Sequence, residues 1–273
     1  MYRLLTRAPS PKYDSRIFVG KQPYDAPRAQ RSGRPGGVGS PVLESISVTE
    51  KPRLILASNS PRRRHLLALA GWQFNVSASD VDESQLPEEL PAEYVLRLAE
   101  AKARAVVGDA DQIVLAADTT VVDGMDILGK PKDHEEARAM LARLRGHTHQ
   151  VYSGVALLWL SDRVVLKELC ITDVPMRDYS DEEIEAYVQT GDPLDKAGAY
   201  AIQHPGFHPV EVSPNRHEGM RGCYANVMGL PMCQVILMMR KINFQPNTDV
   251  FVLCETSLGK ECAVAEAILR GEV

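Results

Sequence analysis

The spacing of apolar and polar positions changes character at Arg53. Before it no helical or strand period recurs; after it, short apolar runs alternate with stretches of helical period. Arg53-Leu-Ile-Leu-Ala57 has the continuous apolar character of a buried strand. Ser58-Asn-Ser60 then leads into a helix from Pro61 through Leu69, stopped by Gly71, with Ser60 as N-cap and Pro61 at the first helical position. Phe74–Ser77 predicts a second strand. Pro91–Val107 predicts a helix whose apolar stripe is Val95, Leu98, Ala105 and Val106. Lys102 falls on the same stripe, where a lysine either snorkels outward or aims into a site. Ile113–Ala117 is another apolar run, ending at Asp118-Thr119-Thr120 and resuming at Val121-Val122. Further along, the pattern predicts a helix over Asp133–Leu144 and two long strands, Gln150–Leu160 and Val164–Val174, paired as a hairpin. Beyond these come a helix from Ser180 to Gln189 with a Ser180/Glu183 capping box, a helix over Leu230–Arg240, a late strand at Phe251–Cys254 and a last helix over Ala263–Arg270. Alternating strands and helices with a hairpin among them give an α/β fold with a mixed sheet.

Residues 1–52 hold seven prolines and the run Arg31-Ser-Gly-Arg-Pro-Gly-Gly-Val-Gly-Ser40, and offer no face from which to build a core. They read as a disordered extension (residues 1–51 ahead of the folded part). A targeting role or a docking arm is the alternative, and the apolar centre of a secretory signal is missing. Charge follows the same division: residues 1–53 carry ten Lys or Arg against four acids, and the remainder 21 against 32. The folded part thus has no global basic footprint for duplex nucleic acid, and no apolar run is long enough for a membrane span. Cys170, Cys223, Cys233, Cys254 and Cys262 are odd in number and form no CxxC pair. They fit reduced thiols in a reducing compartment, the cytoplasm, and neither a disulfide framework nor a zinc site.

Five stretches carry chemistry. In Ala57-Ser-Asn-Ser-Pro-Arg-Arg-Arg64 a strand end passes into a helix N-terminus. Free N–H groups, the helix dipole and the forks of Arg62, Arg63 and Arg64 there suit phosphate oxygens, without a Walker A or GxGxxG pattern. In Ala116-Ala-Asp-Thr-Thr-Val-Val122 an aspartate among apolar strand residues is costly to bury unpaired. It is a metal ligand, a general base, or a turn cap. In Leu128-Gly-Lys-Pro131 the proline holds Lys130 on a fixed turn, where a plain surface lysine is the alternative. Asp195-Lys-Ala-Gly-Ala-Tyr-Ala-Ile-Gln203 allows close backbone approach and ends in an amide able to read a base edge. Asn226-Val-Met-Gly-Leu-Pro231 is a turn leading into a helix.

Taken in order, LILASNSPRRRHLL, VDES, YVLRLAEAKA, AADTTVV, LGKP, VYSGVAL, LDKAGAYAIQ and NVMGLP resemble the Maf family of septum-formation-inhibitor-like nucleotide pyrophosphatases from about Pro52 to Met239. The resemblance implies a single Maf/ITPase-like domain over residues 52–240, with an elongated twisted mixed sheet flanked by helices and a deep cleft. Residues 241–273 would form a C-terminal extension packing on or trailing it. It implies hydrolysis of nucleoside triphosphates to monophosphate and pyrophosphate, often by a homodimer, with a divalent cation: Mg²⁺ first, Mn²⁺ or Co²⁺ as alternatives. By position, Asp118 matches the proton acceptor and Glu83 the acidic residue near the metal. Ser58, Lys102 and Lys130 match the polar lining of the phosphate end, joined by Arg63 on the same helix turn. Both carboxylates are candidate metal ligands, and which is base and which is ligand stays open. Arg62, Thr119 and Gln203 match the branch acting on dTTP and UTP; the 7-methyl-GTP branch carries Trp, Gln and Glu there. A non-catalytic regulator of septum formation is the alternative from another class, favoured less because the charged set is intact.

The chain departs from the family after Gln203. His204 stands where members carry glycine, and the segment to Gly219 is longer than their link. His204, His208 and His217 are thus either metal ligands or solvated loop histidines.

Overall fold

The computed structural model describes residues 18–20, 52–78, 80–106, 108–109, 111–159, 164–210, 220–262 and 264–270. The strands are β1 (Phe18–Gly20), β2 (Arg53–Leu56), β3 (Phe74–Val76), β4 (Gln112–Asp123), β5 (Asp126–Leu128), β6 (Thr148–Trp159) and β7 (Val164–Pro175). The helices are α1 (Pro61–Ala68), α2 (Pro91–Ala105), α3 (His134–Leu144), α4 (Asp181–Val188), α5 (Tyr224–Val227), α6 (Met232–Lys241), α7 (Val250–Leu258) and α8 (Ala265–Arg270). Apart from β1, residues 1–51 lie outside the described residues, as does the expectation of disorder placed on them.

The strands form one mixed sheet in the order β1-β7-β6-β4-β2-β3, with β5 on β4. β2 runs parallel to β3 and β4; the other pairings are antiparallel. The expected hairpin is β6–β7, in register from Thr148 opposite Pro175 to Trp159 opposite Val164. β4 does not break at Asp118-Thr119-Thr120 as the sequence predicts. It continues through them, because β6 pairs with every residue from Ile113 to Val122. Tertiary pairing overrides the low strand preference of aspartate. On its other edge β4 is covered first by β2, up to Leu56 opposite Leu115, and again by β5 from Val121. Ala116–Thr120 lie in the gap between these two partners.

Apolar side chains sort to the two faces of the sheet by strand alternation. On one face Val114, Ala116, Ala156 and Leu158 meet Ala99 and Ala103 of α2. On the other, Leu56, Leu115, Ala117 and Leu157 meet Leu66 and Leu67 of α1 and Val235, Ile236 and Met239 of α6. A second core gathers Val121 and Val151 from the far ends of β4 and β6 with Leu141 and Leu144 of α3, Tyr187 and Val188 of α4, and Phe207. Two long strands thus join two cores, and a cleft opens between them along β4.

Residues 241–262 and 264–270 pack on the sheet face that carries α1 and α6. Trp72 Nε1 donates to the Gln245 carbonyl at 2.8 Å, and Asn247 N to the Ala70 carbonyl at 2.9 Å. The predicted strand at Phe251–Cys254 is instead part of α7. Asp249 caps it by accepting from Val252 N at 3.2 Å, and Gly259 closes it in the left-handed region at φ +60°. All five cysteines are free, and burial pushes the Cys170 thiol up to about 12, in keeping with inert thiols. Among the described residues no helix is long and apolar enough to cross a membrane.

α2 lies unusually close to the sheet at one point. A Cβ on Gly154 would collide with the Val95 carbonyl, so only glycine lets the helix seat there. Gly154 faces Asp118 across the ladder. Gly154→Ala is expected to destabilise the fold by about 1–3 kcal/mol. A lower urea midpoint at unchanged slope would show this, and an unchanged midpoint would refute the close approach.

Candidate active site

The cleft, about 600 Å³, is walled by the β2–α1 turn, α2, the open stretch of β4, the β5–α3 turn and residues 195–203 and 227–229. Ser58, Arg62, Arg63, Glu83, Lys102, Asp118, Thr119, Lys130 and Gln203 all line it, while Arg64, His204 and His208 do not.

Lys102 settles its ambiguity by pointing inward. It is 9% exposed, and its Nζ donates to Asp118 Oδ1 and contacts Glu83 Oε1, each at 2.6 Å. Asp118 is 6% exposed, and its second carboxylate oxygen takes no hydrogen bond among the described residues. Burial alone would raise the Glu83 carboxyl. The Lys102 hydrogen bond, with the charges of Lys102, Lys130 and Arg63, holds it below its ordinary value. Glu83 itself is held from α2. Tyr94 Oη donates to the Glu83 carbonyl at 3.0 Å, and Arg97 donates to the Ser84 carbonyl at 3.0 Å and to Glu89 Oε2 at 2.7 Å. Tyr94 also lines the cleft, and burial followed by the charges of Asp118 and Glu83 pushes its phenol up to about 12. Tyr94 lies two helical turns before Lys102 on the same face, a signal present in the sequence but not taken up.

Across the cleft, α1 presents its N-terminus. Ser60 caps it, accepting from Arg63 N at 3.4 Å. The Arg63 guanidinium is fixed at three points: Nε donates to the Gly229 carbonyl at 2.8 Å, Nη2 to Thr119 Oγ1 at 3.2 Å and Nη1 to Ser58 Oγ at 3.4 Å. Burial lowers its pKa, against the pull of Asp118. The NVMGLP stretch thereby gains a purpose. Asn226 is fully buried, its Nδ2 donating to the Val151 carbonyl at 3.1 Å and Thr172 Oγ1 at 3.0 Å. The Gly229 that follows takes a φ of +110° and offers its carbonyl to Arg63. Arg62 makes no hydrogen bond or ion pair among the described residues and faces the same space. Lys130 is exposed on a turn pinned by Gly198 N donating to the Gly129 carbonyl at 3.0 Å.

Thr119, one of the three branch-matching positions, has its hydroxyl already engaged: it meets Ser153 Oγ at 2.7 Å and Arg63 Nη2 at 3.2 Å, with the Gly229 carbonyl at 3.4 Å. Gln203, by contrast, is exposed and takes no side-chain hydrogen bond among the described residues. Of the three candidate metal-binding histidines, His204 is a turn cap, its Nδ1 accepting from Gly206 N at 3.2 Å and Phe207 N at 3.0 Å. His208 is exposed, and His217 lies outside the described residues. Among the described residues no group of three or more His, Cys, Asp or Glu gathers as a metal cluster.

The profile of the Maf-like proteins matches residues 53–242. The chain belongs to the Maf-like family. Relatives within it include a dTTP/UTP pyrophosphatase of Anaeromyxobacter dehalogenans (strain 2CP-C), 47% identical over 71% of this chain and 95% of the relative. One of Hahella chejuensis is 43% identical over 72% and 96%. One of Geobacter sulfurreducens is 44% identical over 71% and 98%. The Staphylococcus aureus Ham1 protein is a more distant likeness, with a TM-score of 0.37 and 16% identity over 59% of this chain and 81% of that one.

Beneath the cleft floor, His149 is 2% exposed. Its Nε2 meets Tyr200 Oη at 2.9 Å, and its Nδ1 has no partner among the described residues. Burial lowers its pKa to about 4, from an ordinary value of 6.5. Between these values the unfolded chain binds a proton that the folded protein refuses, so stability is full above pH 6.5 and falls as the pH drops toward 4. The loss approaches about 3 kcal/mol at the acid end. Melting temperatures from pH 7.5 to 4.5 are expected to fall less steeply for His149→Gln than for the unaltered protein. Parallel curves would exclude the buried neutral imidazole as the cause.

Proposed function

We propose that this chain hydrolyses dTTP and UTP, and pyrimidine analogues of them, between the α and β phosphates, releasing monophosphate and pyrophosphate. The observation that carries the reading is the Lys102 ammonium held between Asp118 and Glu83, across the cleft from the arginine-bearing N-terminus of α1. Acidic and cationic groups are thus set on opposing walls, as a reaction that activates water and receives a polyphosphate requires. The names of the relatives support the substrate. The exposed Gln203 amide is the group that would meet a uracil or thymine edge, and Thr119 would serve through Arg63.

Asp118 takes the proton from water at its untethered oxygen, and Lys102 holds the carboxylate in place. The α1 N–H groups, Arg62, Arg63 and Lys130 stabilise charge gathering on the leaving pyrophosphate. A divalent cation fits the donor set. The two carboxylates meet at Lys102 Nζ and leave the second Asp118 oxygen open to a cation; since no third protein ligand gathers with them among the described residues, water and substrate phosphates would complete the shell, as Mg²⁺ prefers. Glu83 and Asp118 would hold it, with Mn²⁺ or Co²⁺ as substitutes. When bound, the cation neutralises phosphate charge and acidifies water. The family resemblance also carries a homodimeric, cytoplasmic enzyme into this proposal.

The test is pyrophosphate release with Mg²⁺ from dTTP, UTP, CTP, dATP, GTP and 7-methyl-GTP. Release is expected from dTTP and UTP foremost, with Asp118→Asn slowing turnover by about 10²–10⁴-fold. Undiminished turnover in that variant removes Asp118 as the base. Silence from every triphosphate turns the reading to a nucleotide-binding regulator.

A further inference from the structure

Of the three charged groups that meet in the cleft, only Glu83 stands on a loop. Lys102 belongs to α2 and Asp118 to β4, and both are buried. Glu83 lies between β3 and α2, outside any helix or strand, with its side chain 50% exposed. Ordering a long side chain and the loop behind it costs conformational entropy, which other contacts must offset. The Lys102 ammonium attracts the Glu83 carboxylate as a point charge, without fixing the chain that carries it.

That chain is fixed from one face of α2. Tyr94 Oη donates to the carbonyl of Glu83 itself at 3.0 Å. About one turn on, Arg97 Nη2 donates to the Ser84 carbonyl at 3.0 Å. Arg97 is in turn locked by Glu89, which accepts from both Nε and Nη2. Around these anchors the loop closes on itself. Ser84 N donates to Asp82 Oδ1 at 2.9 Å, Leu86 N to Glu89 Oε2 at 3.1 Å and Gln85 Nε2 to the Glu89 carbonyl at 2.9 Å. The Arg97 guanidinium lies 5.7 Å from the centre of the Tyr94 ring, a contact that does not involve the hydroxyl. Farther along the same helix, Lys102 holds Asp118. One helix thus governs both carboxylates, Asp118 through an ammonium and Glu83 through a phenol on its backbone.

We propose that Tyr94 is a positioning residue for the divalent cation. By holding the Glu83 carbonyl, its hydroxyl keeps the Glu83 carboxylate where it can share a cation with Asp118, and Arg97 is the second anchor of the same loop. Groups that orient a metal ligand tune the affinity of the site as the ligand itself does. This rests on Glu83 being a cation ligand in the proposed function.

Tyr94→Phe removes the hydroxyl and keeps the ring against Arg97. Mn²⁺ titrated into the full chain without nucleotide, followed by electron spin resonance, is expected to bind roughly 3–10-fold more weakly, as loss of one hydrogen bond permits. The Mg²⁺ concentration for half-maximal pyrophosphate release from UTP should rise by a similar factor. Arg97→Lys loosens the second anchor and should weaken Mn²⁺ binding in the same direction. Glu83→Gln serves as reference. If it leaves Mn²⁺ binding intact, Glu83 is no ligand and this proposal falls with that reading. If Glu83→Gln weakens binding while Tyr94→Phe and Arg97→Lys bind Mn²⁺ as the unaltered chain does, this proposal alone is overturned. Lowered melting temperatures in those two variants would then mark the anchors as purely structural. The double variant Tyr94→Phe, Glu83→Gln should bind no more weakly than Glu83→Gln alone. A further loss would overturn the positioning role, because Tyr94 would then act on the cation without Glu83.

Discussion

An ammonium buried to nine parts in ten is tolerable only with its charge answered, and the architecture of this cleft follows from answering the charge of Lys102. Asp118 and Glu83 supply the counter-charge at 2.6 Å each. Within this set Lys102 and Asp118 are the buried pair, and removing one would strand the other charge, a penalty on the order of 3–5 kcal/mol. Glu83 is half exposed and counts for less. The three residues come from a helix, a strand and a loop, so meeting at one point constrains all three elements. α2 must sit hard against the sheet, which Gly154 allows. The loop bearing Glu83 must fold back over α2, which Tyr94 and Arg97 enforce.

The cleft is where the sheet runs short of a strand. β2 ends opposite Leu115 and β5 begins opposite Val121, so Ala116–Thr120 are paired to β6 alone among the described strands. Side chains alternate across a strand, and at this gap the alternation sends Asp118 toward α2 and Thr119 toward α1 and the Gly229 turn. One uncovered stretch of one strand thereby carries both the carboxylate side and the arginine side.

Much of this was legible in the sequence, wherever the cue is local. The strand-to-helix passage at Ser58–Pro61, the β6–β7 hairpin and the Ser180/Glu183 box follow from periodicity and capping chemistry, and the motif order brought all nine site residues to one cleft. Errors arose where a local cue lost to a longer-range one. Asp118-Thr119-Thr120 resemble a break, but β6 pairs them through. Phe251–Cys254 resemble a strand because the apolar run outweighed the cap at Asp249 and the stop at Gly259, both visible in the sequence. Tyr187 was not legible at all. Its contacts with Ala201 and Phe207 come from the fold bringing residues from farther along the chain to one ring.

The triple engagement of the Thr119 hydroxyl bears on how such a cleft can diversify. A residue that lines the cleft and also secures Arg63 cannot be exchanged without loosening that guanidinium. Drift at Thr119 is thus epistatic with the arginine side of the cleft. Gln203, whose side chain takes no hydrogen bond among the described residues, can be exchanged without loosening that network.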